Sequence, residues 1–300
     1  MTAPRVLFTC WPFVGHVHSQ LAIAAALRER GSAAAFYTGE SVRATIEAQG
    51  HELFAFDRLD EERAFATMRS AETGAGPGRR ARAVDVRALR DWLVETIPDQ
   101  LADLESVLDR WAPDVIATDL SMWGPIVVLW ESCGLPVAAS STFMGPLIPG
   151  PDAPPWGLGL APPRTRAARV RARALTRLTD VVARGLRARV DELRAAHGLG
   201  PLGCSINEFT GRLPLYLVGN LRELDYDRRD LPASVHYVGP CTWHPPAETA
   251  TEAWLDAIPI DAPWVHVTEG TSHHQDPFVL RAAAAGLAGL PLEAILTTGR

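Results

Sequence analysis

Arg5-Val6-Leu7-Phe8-Thr9-Cys10, then Trp11-Pro12-Phe13-Val14-Gly15-His16, then Leu21, Ala24, Ala25 and Leu27 at helical spacing: this opening decides the fold. The first run is apolar without alternation, as in strands buried on both faces of a parallel sheet. The turn after it carries polar groups and a glycine. The helix ends in Arg28-Glu29-Arg30, and Gly31 stands where a C-cap belongs.

The unit then repeats. Residues 33–38 read as a strand, 41–49 as a helix stopped by Gly50, and 51–56 as a third strand. A long helical stretch covers about 84–111. A fourth strand, 114–118, ends at Asp119. A helix over 126–133 is stopped by Gly134, and 136–140 is a fifth strand. Strands alternating with helices imply right-handed crossovers and a doubly wound α/β sheet. Residues 70–82 and 145–163 have no apolar period and read as loops, the second as a mobile lid. The arginine-rich stretch 164–194 repeats Leu175, Leu178, Val182, Leu186 and Val190, which predicts a helix with a solvated basic face. Two more strands fall at 215–219 and 235–238.

Character changes at residues 239–263, which read as an interdomain linker between a first domain, 1–238, and the start of a second, 264–300. Residues 264–268 read as a strand, 269–275 as a turn, 276–287 as a helix and 292–298 as a strand. Two strands and one helix cannot cover both faces of a sheet, so the second domain is expected to be truncated.

Composition narrows the function. The 300 residues are 47% hydrophobic and 21% charged, an ordinary globular balance. A net charge of −6 argues against nucleic acid as a partner. All 29 basic residues are arginine, so P-loop and Schiff-base chemistry, which need lysine, are excluded. Cysteines 10, 133, 204 and 241 form no C-x-x-C pair, which fits a reduced, cytoplasmic protein without a zinc ribbon or redox motif. The apolar runs are too short for a membrane span, and the N-terminus makes a poor signal peptide.

Turns at the carboxyl ends of parallel strands are where α/β sheets place ligands. His16 lies on the first such turn and could act as a general base near neutral pH; its bland alternative is a solvated or capping histidine. Asp119 ends the fourth strand and could fix the His16 tautomer; its alternative is a helix cap. Trp11, Phe13, Trp123, Phe143 and Met144 lie on loops that would rim the same cleft and suit a partly apolar acceptor, with core packing the alternative for each. In the second domain, Thr268-Glu269-Gly270-Thr271-Ser272 follows a strand, and such a turn can cradle a phosphate. There is no G-x-S-x-G elbow, no G-x-G-x-x-G after a strand and no H-E-x-x-H; the adjacent His273 and His274 cannot share one metal site.

Several of these motifs match one family in order and spacing. Val6-Leu7-Phe8, Gly15-His16-Val17, Leu27-Arg28-Glu29-Arg30-Gly31, Phe36-Tyr37-Thr38-Gly39, Pro113-Asp114-Val115-Ile116 with Asp119, Tyr237-Val238-Gly239-Pro240 and Trp264-Val265-His266-Val267-Thr268-Glu269-Gly270-Thr271 together resemble the GT-B glycosyltransferases, narrowly the bacterial macrolide and antibiotic enzymes. The resemblance implies two Rossmann-like domains and inverting, metal-independent transfer of a sugar to a hydroxyl of a natural product. The donor would be a UDP- or dTDP-linked sugar, with no further cofactor. It implies that His16 is the base, that Asp119 orients it, and that Gly270, Thr271 and Ser272 contact the donor diphosphate. Ser19 replaces a proline common in the family's first turn. The family continues into a phosphate loop and a sugar clamp beyond residue 300, so this chain alone is expected to bind donor weakly and turn over poorly. The alternative is a non-catalytic acceptor-binding module or partner subunit. A nucleotide-sugar-modifying Rossmann enzyme lacks its glycine fingerprint. The sequence is silent on oligomeric state.

Overall fold

The computed structural model describes residues 3–72, 86–156, 158–244, 253–270 and 277–298. Its centre is a seven-stranded, wholly parallel sheet. The strands are β1 (Arg5–Thr9), β2 (Ala33–Thr38), β3 (Glu52–Ala55), β4 (Val115–Asp119), β5 (Val137–Ser141), β6 (Leu215–Val218) and β7 (Val235–Tyr237). They lie in the order β3-β2-β1-β4-β5-β6-β7. The chain thus grows outward from β1 to one edge, returns, and grows outward again from β4. The β1–β4 seam is the topological switch point, and in such sheets the crevice beyond the strand ends opens there.

Consecutive residues of β1 feed opposite cores. Leu7 joins Trp11, Tyr37, Leu104, Ile116 and Ile126 on one face. Val6 and Phe8 join Val17, Leu21, Phe36 and Ile46 on the other. Phe8 stacks on Phe36 at 5.0 Å between ring centres. Burying each large side chain contributes about 2 kcal/mol. That two-sided burial is why the strand reads as an unbroken apolar run.

The helices follow the expected alternation with differences at their boundaries. The first is α1 (Val14–Arg28), and Gly31 behind it takes φ +85°, the left-handed conformation that ends a helix. Next comes α2 (Arg43–Ala48). Then α3 (Glu61–Glu72) is a helix the sequence pattern does not mark, and its last turn runs into the loop expected from residue 70; Asp60 starts it by accepting the Arg63 N–H at 2.9 Å. The single stretch expected over 84–111 is two helices, α4 (Val86–Leu93) and α5 (Ile97–Trp111). Pro98, in the first turn of α5, cannot donate back to Val94, so the helix must restart there. The buried segment Pro125–Leu129 is a wide π turn that runs into α6 (Trp130–Ser132). The arginine-rich stretch divides at Ala183 into α7 (Arg166–Val182) and α8 (Arg184–Ala196). A short α9 (Ile206–Thr210) is capped by Ser205, whose Oγ accepts the Glu208 N–H at 3.2 Å. In α7 the expected apolar period does not mark a buried face: Leu178 and Val182 are more than half exposed.

Beyond β7, α10 (Ala253–Asp256) falls inside the expected linker. The described part of the last segment is a two-stranded parallel sheet, β8 (Trp264–Thr268) and β9 (Glu293–Thr297), with α11 (Phe278–Leu287) packed on both strands. Among the described residues, no helix is long and apolar enough to cross a membrane.

Two buried polar clasps shape the sheet's carboxyl edge. The Asp103 carboxylate, on α5, accepts from Tyr37 Oη at 2.9 Å and from the backbone N–H groups of Asp57 and Arg58 at 3.0 and 2.8 Å. It thereby ties the loop after β3 to the core. The second clasp holds the loop after β5. Arg228, buried, donates two hydrogen bonds to Ile148 O at 3.0 Å and pairs with Asp230 at 2.6 Å. Gly150 lies so close to Asp230 and Arg228 that a Cβ would not fit. Asn220 holds Met144 O at 3.1 Å, and Tyr226 Oη holds Leu160 O at 3.0 Å. The stretch expected to be a mobile lid is therefore fastened at several points, and two of its glycines, Gly145 and Gly150, allow close approach to Asp225, Asp230 and Arg228.

Removing Asp103 takes the acceptor from a buried hydroxyl and from three backbone N–H groups, those of Asp57, Arg58 and Leu59. Asp103→Ala is expected to cost about 3 kcal/mol, seen as a lower urea midpoint with an unchanged slope. Arg228→Gln strands the mostly buried Asp230 and is expected to cost about 3 kcal/mol; limited proteolysis should then cut within residues 145–163 faster than in the parent chain.

Candidate functional site

Because β1 and β4 are neighbours with Thr9 opposite Thr118, the residues just past their ends must meet. Thr9 Oγ1 lies 2.8 Å from Thr118 Oγ1 across the seam, fully buried. One turn beyond, His16 Nδ1 stands 2.7 Å from Asp119 Oδ2. A carboxylate only accepts, so the ring presents Nδ1–H to it. The neutral ring then carries its lone pair on Nε2.

Both partners are oriented by local structure. His16 sits in the first turn of α1, its backbone N–H bonded to Phe13 O at 2.9 Å. Ser19, standing where the family often has proline, donates to His16 O at 2.8 Å. The Asp119 side chain is 3% exposed and that of His16 21%, so the acid is sealed while the base can be reached. The other Asp119 oxygen, Oδ1, accepts the Ser121 N–H at 2.7 Å and the Ser121 hydroxyl. Trp11 Nε1 donates to Ser121 O at 3.1 Å, a second strut across the seam.

Electrostatics couple the pair. Burial opposes charge on His16, but the Asp119 carboxylate, by charge and hydrogen bond, outweighs it and holds the imidazole above its ordinary pKa. Burial likewise favours neutral Asp119, but the charge and hydrogen bond of His16 and two hydrogen bonds from Ser121 hold it below its ordinary value. The stability contributed by His16 is thus present in full below its ordinary pKa and lost as pH rises through the raised one. That contributed by Asp119 is present above the ordinary carboxyl pKa and lost as pH falls through the depressed one.

The aromatic residues divide. Phe13 packs edge-on against the His16 ring at 5.4 Å and joins the wall of the site. Trp11 has no exposure; it lies under that wall and does not rim a cleft, because its indole is spent on Ser121 and on the core. Trp123 is also buried in the core at the start of the segment after β4. Phe143 and Met144 follow β5, next to β4, on the same carboxyl edge. Met144 is more than half exposed, and Phe143 packs edge-on against Trp156 at 5.1 Å. Two residues not anticipated stand against Phe13: Phe65 of α3 at 4.9 Å and Trp92 of α4 at 6.3 Å. The acidic start of α3, Asp60-Glu61-Glu62, was the available sign that Phe65 lies on a helix.

Of the expected phosphate turn, Gly270 is described, with φ +74°; its N–H is bonded to Thr268 Oγ1 at 3.2 Å. Thr271 and Ser272 lie outside the described residues, as do His273 and His274. Among the described residues, no cluster of three or more histidine, cysteine or acidic side chains could hold a metal ion.

No family model matches the chain. A 4'-demethylrebeccamycin synthase from Lentzea aerocolonigenes is 33% identical over 303 residues, covering 98% of this chain and 70% of the relative. A solved calicheamicin glycosyltransferase superposes over the whole chain with a TM-score of 0.64 at 16% identity, and 66% of it is covered. A spinosyn rhamnosyltransferase solved with its aglycone gives 0.58 at 19% identity, with 98% of this chain and 65% of that one covered. The chain thus spans about two thirds of these relatives. The structural likenesses establish the GT-B fold, and the sequence likeness carries the family: the chain belongs to the antibiotic glycosyltransferases.

Proposed function

We propose that the protein transfers a sugar from a nucleoside-diphosphate sugar to a hydroxyl of a small natural product, with inversion and without a metal ion. The observation that carries the reading is the 2.7 Å contact between His16 and sealed Asp119 at the switch point. His16 Nε2 takes the proton of the acceptor hydroxyl as its oxygen bonds to the anomeric carbon. The bond from that carbon to the diphosphate oxygen breaks, and the diphosphate leaves with the electron pair. A single displacement inverts the centre. Asp119 steadies the imidazolium that forms.

The relatives support both substrate classes. The spinosyn rhamnosyltransferase has been solved with its aglycone and with thymidine diphosphate. The aromatic wall around Phe13 suits an apolar acceptor, and Gly270, Thr271 and Ser272 are the proposed contacts of the donor diphosphate.

His16→Ala is expected to lower kcat/KM between about a hundredfold and ten-thousandfold with acceptor binding retained. Transfer at the parent rate would sink the assignment; acceptor binding with no transfer in either chain would instead favour a non-catalytic binding module.

The base works only when neutral, so transfer should rise with pH through the raised His16 pKa, placing the acid limb above the ordinary 6.5. Asp119→Asn removes the charge but leaves the burial. The limb should then move to lower pH while the maximum rate falls, and a kcat/KM profile measured for both chains checks the sign.

A further inference from the structure

Helix α7 turns its apolar side outward. Val170, Ala174, Leu178 and Val181 recur at i, i+4, i+8 and i+11, one continuous stripe, and all four are exposed. The three larger members are each more than half accessible. The inward side is made mostly of small and polar groups, with one leucine: Ala172 is buried, Leu175 is half-buried, and Thr176 and Thr179 are half-buried with their hydroxyls bonded to the helix's own carbonyls.

Arginines border the stripe. Arg166, Arg173 and Arg177 recur at i, i+7 and i+11 along one flank, and Arg171 lies on the other. All four are exposed, and none forms an ion pair among the described residues. The helix holds five arginines against one acid, Asp180, in a chain whose net charge is −6. Trp156, more than half exposed, is carried on the loop that packs under α7, where Pro154, Leu160 and Pro163 share a small hollow with Ala168, Ala172 and Leu175.

We propose that the outer face of α7 docks flat on an anionic lipid surface. The stripe would enter the boundary between headgroups and acyl chains while the flanking guanidinium groups meet lipid phosphates and carboxylates. Charge complementarity favours this occupant. A second copy packed about a two-fold axis would set arginine rows against arginine rows. A specific protein partner would be expected to meet hydrogen-bonding groups, and this face offers none but guanidinium. A lipid surface asks only for apolar depth and positive flanks. The loop after β5 joins this face to Phe143 and Met144, so docking would hold the acceptor side of the molecule near a lipid-dissolved substrate.

The test is cosedimentation of the full chain with vesicles of phosphatidylcholine, with and without phosphatidylserine, and it is independent of any sugar-transfer assay. Binding is expected only with phosphatidylserine present, and it should weaken with added salt. The triple variant Arg166→Gln, Arg173→Gln, Arg177→Gln should reduce partitioning on the order of a hundredfold. Leu178→Glu with Val181→Glu should abolish it although every arginine remains, and both variants should melt at the parent temperature. No binding to phosphatidylserine vesicles overturns the proposal, as does binding that survives either variant. A dimer in sedimentation equilibrium that Leu178→Glu dissolves would assign the face to a second copy and overturn it equally.

Discussion

The parallel pairing of β1 with β4 is the constraint on which the site depends. His16 and Asp119 are 103 residues apart in the chain, and nothing local draws them together. They meet because two apolar strands are buried side by side with Thr9 opposite Thr118, and because both turns leave the same edge of the sheet. The Thr9–Thr118 contact and the Trp11–Ser121 bond then tie the two sides of the seam together. A sheet wound in one direction only would have a helical crossover between these strand ends. The reversal of winding leaves the gap that a ligand can enter.

Much of this was legible in the sequence, and the reasons differ by element. Each strand of the large sheet was marked by a short, mostly apolar run; in the central strands β1, β4 and β5 burial on both faces leaves few exposed positions, while the edge strands β3 and β7 carry the exposed Glu52 and His236. The histidine and the aspartate were legible as strand-end residues before their contact was known. What could not be read was which loop residues turn inward. Trp11 and Phe13 are two positions apart in one turn, yet one is sealed in the core and the other touches His16. That choice is made by Ser121 O, a tertiary partner that no periodicity announces. Helix α3 escaped for a different reason. Its mean character is polar, and its start is marked by acid residues rather than by an apolar stripe. The loop after β5 looked mobile because glycine, which reads as a loop signal, is also the residue that at Gly150 permits close packing against Arg228 and Asp230.

The dyad sets stability and chemistry against each other. A charged His16 beside a charged Asp119 is the arrangement that stabilises the fold, since each partner's pKa is moved toward ionisation. A base, however, must begin neutral. The exposure difference resolves part of the conflict: Asp119 is sealed and keeps its charge, while His16 opens to solvent and can release its proton there. In the proposed reaction the proton returns from the acceptor, and the imidazolium pair that the fold already favours is restored. The energy that would be a penalty for the resting base becomes a driving force in the step that charges it.

The same reasoning about where burial goes applies at the far side of the molecule. In the sheet, apolar periodicity predicts burial well because strands have neighbours on both faces. In α7 it predicts poorly, because the helix meets the rest of the chain mainly through alanine, threonine and the half-buried Leu175 and leaves its three valines and Leu178 outside. Folding alone gives no return for that placement, since exposed apolar stripes favour aggregation. The arginine rows beside the stripe counter that tendency by mutual repulsion between copies. They also give the face a preferred counterpart, one that is apolar within and negative at its rim. A pattern that is wasteful for a fold is thus economical for a surface.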